Sequence, residues 1–551
     1  MRPTNMKNLF RKTGILLTVL AAVASLAPTA RAAAPGITGP TFSLTAQPAF
    51  LTQPDGQSIY SWGYGCSVTP AGFAPSMTGQ TCPTMQVPGP TLIVTEGQTV
   101  TVTLTNGLPA SAGNTSILFP GFNVTATGGV TGLMTQEAAP GGTVTYTFTA
   151  STPGTRSYYS GTQSDLQIEM GLYGAIIVRP ANVPSACTGG LHALNLQAEG
   201  VWGETDFRLA ASAYDHDKTC YDREYLFQFS EMDPRIHSQA LAQVTARPTC
   251  PVPAAGQPVS SCLDIPTEPY HPAYFMINGR SMPDDMDPNY AHEYPHQPYN
   301  GNPHMHPGEQ VLLRIIGQGR WQHPFHEHGN HVRILARDGN LILSGTNAED
   351  LAGPALFTTT TTPGQAMDGI FYYTGRGLNW DMYGHNPAST DDSAKLACVP
   401  DANGYNTVGS TTTPAYTQIN FWEWCQDHNK PLQNVPFGDV SGGGPVTLPD
   451  PNILTNGAWF GGSPYLGPNA TVRAVGPTGT TPPSGTIANP PTSEAGFAFM
   501  WHSHNEREIT TNNAFPGGML MMMLVDSRNS RSTKPTKSGE QRCDSTLSDR
   551  L

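Results

Sequence analysis

Two short stretches concentrate the residues best able to do chemistry: His323-Pro-Phe-His326-Glu-His328-Gly329 and His502-Ser503-His504. On an extended strand, residues two apart share a face, so His326 and His328 project together, as do His502 and His504. Two such strands side by side would present four imidazoles to one ion. Neutral imidazole is the commonest side-chain metal ligand and suits copper, zinc or iron. The spacing alone leaves copper, zinc or another divalent cation open as the cofactor. His323, His331 and Glu508 stand near enough to these motifs to add a further ligand.

Other candidates are weaker. His292, His296, His304 and His306 lie in a Pro/Asn/Tyr-rich stretch where no expected strand fixes their spacing, so solvated side chains or weak metal contact are the simpler expectation. Met519, Met521, Met522 and Met523 read as a strand packing into a core, methionine being an adaptable filler. Lone histidines such as His192 and His237 read as ordinary hydrogen-bonded groups. There is no Gly-x-Ser-x-Gly, P-loop or dinucleotide fingerprint. The absence of Cys-x-x-Cys argues against zinc-thiolate or iron-sulfur sites.

The elements that must position the histidines are strands. Val100-Thr-Val-Thr-Leu-Thr and Val144-Thr-Tyr-Thr-Phe-Thr alternate apolar and polar residues, as strands with one face on a core do. Gly171-Leu-Tyr-Gly-Ala-Ile-Ile-Val178 is a more fully buried strand closing a first unit, placed at 40–180. A second unit, 185–526, contains Tyr274-Phe-Met-Ile, Glu309-Gln-Val-Leu-Leu-Arg-Ile-Ile316, His331-Val-Arg-Ile-Leu335, Asp368-Gly-Ile-Phe-Tyr-Tyr373, Phe497-Ala-Phe-Met-Trp501 and Met519-Leu-Met-Met-Met-Leu-Val525. Between about 376 and 491 the chain turns Gly/Pro/Asn/Thr-rich, which reads as a long insertion in that unit. The Ser- and charge-rich stretch 527–551 reads as a disordered tail.

Composition agrees with a loop-rich all-β chain. Among 551 residues there are 58 Gly and 51 Pro, about a fifth of the chain against the usual share of about 12%. Formal net charge is −13. All five charged residues of the first 32 are basic: Arg2, Lys7, Arg11, Lys12 and Arg31. Those residues read as a signal peptide, with an apolar run from Ile15 to Leu26 and Ala30-Arg31-Ala32 at the cleavage site. So acidic a chain without a basic stripe is not expected to bind nucleic acid, and no later run is apolar and long enough to span a membrane. Export to the periplasm or the extracellular space would permit disulfides between nearest cysteines: Cys66–Cys82, Cys187–Cys220, Cys250–Cys262 and Cys398–Cys425, leaving Cys543.

With these motifs in place the chain resembles the multicopper oxidases, the laccase-like family of linked cupredoxin domains. Pro88-Gly-Pro-Thr, Glu96-Gly97, Gly171-Leu-Tyr-Gly-Ala-Ile-Ile-Val, Phe275-Met-Ile-Asn-Gly-Arg and the His323 motif stand where that family has its landmarks. The resemblance implies two linked cupredoxin-like Greek-key β-sandwiches with a long insertion in the second. It also exposes departures. Leu118, Pro120, Tyr159 and Gly161 occupy the positions of the family's two first-domain His-x-His pairs, and Ser503 and Glu508 replace the cysteine and a histidine of its last motif. A blue copper needs a thiolate, which serine cannot supply. The resemblance therefore implies a copper oxidoreductase with a mononuclear site at His326, His328, His502 and His504, served by a small-molecule reductant. A non-catalytic copper-binding, storage or structural protein is the alternative, and either could self-associate.

Overall fold

The computed structural model describes residues 34–373 apart from 77–78, 190–191, 194–206, 250–260 and 307, together with 462–466, 487–488 and 496–526. The expected leader, the tail and most of the expected insertion lie outside the described residues.

The alternating segments fold into strands with the expected parity. In Thr99–Asn106 the side chains of Val100, Val102 and Leu104 are buried between outward threonines. Their antiparallel neighbour Thr143–Thr149 sets Tyr146 opposite Val102 and Phe148 opposite Val100. Those strands lie in a five-stranded sheet ordered Ser58–Cys66, Thr41–Thr52, Thr99–Asn106, Thr143–Thr149, Thr125–Gly128. A second five-stranded sheet, ordered Gly154–Tyr159, Tyr173–Arg179, Leu92–Thr95, Gly36–Thr38, Phe73–Ala74, closes over it. Trp62, Tyr64, Tyr158, Ile176 and Val178 share one core with the first sheet's apolar residues.

The second sandwich carries the histidines. Its seven-stranded sheet runs Tyr274–Ile277, Arg223–Met232, Gln310–Gly317, Ala366–Tyr372, Val332–Arg337 and Asn340–Leu341, with Ala355–Leu356 also on Val332–Arg337. The facing sheet runs His304–Met305, Leu520–Asp526, Gly496–Ser503, His323–Glu327, Thr358–Thr361, and Gly462–Leu466 and Ile487–Ala488 extend it beside Gly496–Ser503. Phe227, Phe229, Phe325, Phe371 and Trp501 fill the space between, with Met519, Met521 and Met523 packed among them as expected of core methionines. The architecture is mostly β, a pair of curled cupredoxin-like sandwiches.

One element departs from an all-strand reading. Pro234–Ala246 is a helix, with the Asp233 carboxylate accepting from the Arg235 N–H and a proline in the first turn. Ile236 and Ala240 leave the second sandwich to join the core of the first. A third apolar cluster, including Met85, Val87, Tyr173, Met232, Tyr274 and Met276, joins the two units. Across the same boundary Asp368 accepts from the Thr155 hydroxyl at 2.6 Å, while the Tyr214 hydroxyl of its own unit donates to it at 2.6 Å.

The Ile277-Asn278-Gly279 turn shows what a motif glycine does here. Gly279 has φ +82°, and a Cβ there would collide with the Val87 carbonyl oxygen of the first sandwich. Gly279→Ala is expected to cost on the order of 1–3 kcal/mol from backbone strain alone, more with the collision, seen as a lowered urea midpoint; an unchanged midpoint would contradict this account of the turn.

Cys66–Cys82 and Cys187–Cys220 are disulfides, both between nearest neighbours as expected. Cys262 is disulfide-bonded too, while Cys250, Cys398, Cys425 and Cys543 lie outside the described residues. Among those residues no helix is long and apolar enough to cross a membrane.

Candidate metal centre

Strand parity and register assemble the histidines. His323–Glu327 pairs antiparallel with Gly496–Ser503, setting His326 directly opposite His502 and Phe325 opposite Ser503. Phe325 and Trp501 point into the sandwich core, so the alternate residues His326, His328 and His502 point out of the opposite face. His504 continues that face, its N–H donating to the Pro324 carbonyl at 2.8 Å. Directly opposite and diagonal cross-strand neighbours are within reach of such rings. Ring centroids lie 4.8 Å apart for His326 and His328, 5.5 Å for His326 and His502, 5.0 Å for His328 and His502, and 4.8 Å for His326 and His504. The four histidines of the two motifs are therefore neighbours in space.

Hydrogen bonding sets how these rings present their nitrogens. His502 Nδ1 lies 2.7 Å from the Ser503 carbonyl oxygen. A carbonyl only accepts, so Nδ1 carries the proton and Nε2 offers its lone pair. That Nε2 faces His328 Nε2 at 3.1 Å. His326 Nδ1 is held by the Thr358 hydroxyl at 2.6 Å. Burial, reinforced by repulsion from His502 and His504, brings His326 down to about 4, and burial also lowers His502. Near neutral pH His326 and His502 are therefore uncharged, the form a metal requires.

Among the described residues no group of three or more His, Cys, Asp or Glu side chains is arranged as it stands to hold a metal ion. The histidines share ring proximity rather than finished coordination. The donor set nonetheless fits a transition-metal ion. Imidazoles bound at about 2.0–2.1 Å around a tetrahedral centre have centroids about 5 Å apart and nitrogens about 3.3 Å apart. The triangle of His326, His328 and His502 has sides of that size, and its closest nitrogens are 3.1 Å apart.

The further candidates lie elsewhere. His323 has the opposite parity to His326 and points into a buried acidic pocket. Its Nδ1 is 2.9 Å from Glu508 Oε2 and its Nε2 2.9 Å from Glu231 Oε2. The Ser503 hydroxyl donates to the same Glu508 oxygen, and the Asn505 amide donates to the other at 2.9 Å. Glu231 also accepts from the backbone N–H groups of Arg320 and Trp321. His323 and Glu508 are thus engaged with one another, on the far face from the four rings. His331 is exposed and meets Phe357 edge-on, with ring centroids 5.1 Å apart.

Sequence reasoning missed Glu231. It sits in Arg223–Met232, a strand buried at every position despite three charged residues, Arg223, Glu224 and Glu231. Charges in an otherwise apolar strand imply buried partners, which was the available signal. His304 and His306 were expected in a loop without a strand, yet both are buried and His304 begins the short strand His304–Met305. His192 and His237 are hydrogen-bonded, to Asp222 at 2.7 Å and to the Tyr60 carbonyl at 2.6 Å.

The pocket makes stability depend on pH. Burial alone would lower His323, but its hydrogen bonds to Glu231 and Glu508 and their negative charges outweigh it and push His323 up to about 9 from 6.5. A folded-state value above the unfolded one means that the stabilisation is complete below pH 6.5 and is lost as pH rises to about 9. The loss is on the order of 3 kcal/mol. Glu327, raised by burial to about 8, adds a loss of the same sign below that pH. Urea midpoints should fall between pH 6.5 and 9, and His323→Gln should flatten the decline; a flat wild-type profile would contradict an imidazolium in this pocket.

The first sandwich supplies no imidazole, for no histidine precedes His192. Leu118 and Tyr159 bridge each other, with the Leu118 N–H donating to the Tyr159 carbonyl at 2.8 Å, and a Cβ on Gly161 would meet the Leu118 side chain. These positions form an apolar contact in place of nitrogen donors.

Residues 77–183 match the multicopper oxidase family. The chain is 38% identical over 98 residues to laccase abr2 of Aspergillus fumigatus, covering 17% of this chain and 16% of that protein. It is 37% identical over 107 residues to multicopper oxidase MCE of Talaromyces pinophilus, covering 19% of this chain and 17% of that protein. The match thus spans about a sixth of the length of either relative. Among solved structures, the blue copper oxidase of Nitrosomonas europaea overlaps 88% of this chain and 85% of its own at 15% identity and a TM-score of 0.41. Residues 77–183 are thus similar to the multicopper oxidase family, the family that the histidine motifs also resemble.

Proposed function

We propose that this is an exported copper protein of oxidoreductase type, holding a single copper ion at His326, His328, His502 and His504 rather than a blue copper joined to a three-copper cluster. The observation that carries the reading is the convergence of four second-sandwich imidazoles in a chain whose first sandwich has no histidine to add. Bound copper would supply a one-electron redox couple. The chain's own residues orient two of the imidazoles, His502 through the Ser503 carbonyl and His326 through the Thr358 hydroxyl, while burial favours the neutral form of both. The basic, apolar leader and the disulfides support export.

A second reading is favoured by the acidic pocket. Where the family's electron-accepting copper would stand, His323 is clasped by two carboxylates and Ser503 offers a protonated hydroxyl. Without that acceptor, copper binding for storage or tolerance needs no turnover. Protein matured in an exporting host and loaded with copper should bind one equivalent, give a copper EPR signal without the narrow splitting of a thiolate site, and remain without intense blue colour. Three bound coppers or a strong blue band would refute the mononuclear reading. Consumption of oxygen with a small-molecule reductant separates the enzyme from the storage protein.

A further inference from the structure

The four histidines differ in what surrounds them. His326, His328 and His502 are 3%, 4% and 9% exposed, and their centroids form the closed triangle described above. His504 stands one residue beyond the end of Gly496–Ser503, with 53% of its side chain exposed. Its ring is 4.8 Å from His326 and 5.7 Å from His502, against an edge of the triangle. Its Nδ1 lies 3.7 Å from a carboxylate oxygen of Glu506, itself 82% exposed. Phe357, 53% exposed, borders the same side, its ring 5.7 Å from that of His326.

We propose that His326, His328 and His502 are the resident ligands and His504 is a displaceable fourth, so that a small anionic ligand reaches the metal from the solvent side by replacing it. The inference rests on the copper-site reading above. The physical basis is the difference in freedom. A buried ring packed against two others has already lost its rotamers on folding, so ligation orders it no further. A half-exposed ring regains rotamers and hydration whenever it leaves the metal. Three fixed protein ligands with one exchangeable position also describe metal sites that admit an outside molecule, whereas structural sites are closed by four fixed ones. The backbone of His504 stays pinned to Pro324 while its side chain moves, so displacement asks for a χ rotation and not for strand separation.

The test uses the full chain loaded with Cu(II), with azide as the small-anion probe. His504→Ala should keep one copper with affinity within about 10-fold of wild type, whereas His502→Ala should weaken it by at least about 100-fold, as expected for an exchangeable and a resident ligand respectively. His326→Gln, which keeps a polar side chain, serves as the second resident-ligand variant and should behave like His502→Ala. Pulsed EPR should count four coordinated imidazoles in the wild type and three after azide. His504→Ala should show three with or without azide. Equal loss of affinity in His504→Ala and His502→Ala, or four imidazoles persisting under saturating azide, would overturn this inference while leaving the copper site standing. A wild-type protein that takes up no stoichiometric copper would overturn both.

Discussion

Glu508→Ala is expected to destabilise the protein by about 3–5 kcal/mol, the range for removing one partner from a buried charged network. Glu508 is fully buried and accepts three hydrogen bonds at once, from His323, the Ser503 hydroxyl and the Asn505 amide. Truncation leaves an imidazolium with Glu231 as its remaining anion, together with a buried hydroxyl lacking its acceptor. Glu508→Gln keeps the shape and an acceptor oxygen, so its cost should be smaller. Urea denaturation of the two variants checks the order. A Glu508→Ala loss below 1 kcal/mol would mean that the pocket contributes nothing to the fold.

The second large effect is on metal binding. Replacing His502 and His504 together by Ala should abolish stoichiometric tight copper binding, since it removes the partner that faces His328 Nε2 at 3.1 Å and the ring beside His326. Replacing His304 and His306 together should leave copper stoichiometry at one, because His304 lies on a short strand beside Leu520–Asp526 and His306 just beyond its end, with their backbone engaged by Tyr225 and Glu309. Metal analysis after gel filtration, with circular dichroism to confirm folding, decides the matter. Retained copper in the first variant would dismiss the four-histidine site.

Much of this arrangement was legible in the residues. Alternation in Thr99–Asn106 and Thr143–Thr149 gave the strands and their buried faces, and the two His-x-His spacings gave two pairs of rings on strand faces. Parity gave four converging rings only on the condition that the two strands lie side by side; the register that sets His326 against His502 was not legible, because pairing between segments nearly two hundred residues apart leaves no local trace. The fate of His323 was hidden for the same reason: Glu231 is 92 residues away in the chain, and parity alone says which face a residue takes without saying what waits there. The helix Pro234–Ala246 was within reach. Asp233-Pro234 followed by apolar Ile236 and Ala240 is a capped, one-sided pattern, overlooked because the Gly/Pro content favoured strands throughout.

The clasp on His323 also bears on how such a chain can change over generations. Regaining a thiolate copper site requires a cysteine at Ser503, a histidine at Glu508 and relief of the Glu231 carboxylate, all within one sealed volume. Any one exchange alone strands a charge or a polar group out of water, at a penalty comparable to a domain's whole margin of stability. Lineages at that margin lose the fold before the second exchange arrives. A pocket filled this way is closed to stepwise conversion into a thiolate site, while the outward histidine face, which shares no side chain with it, is free to vary on its own.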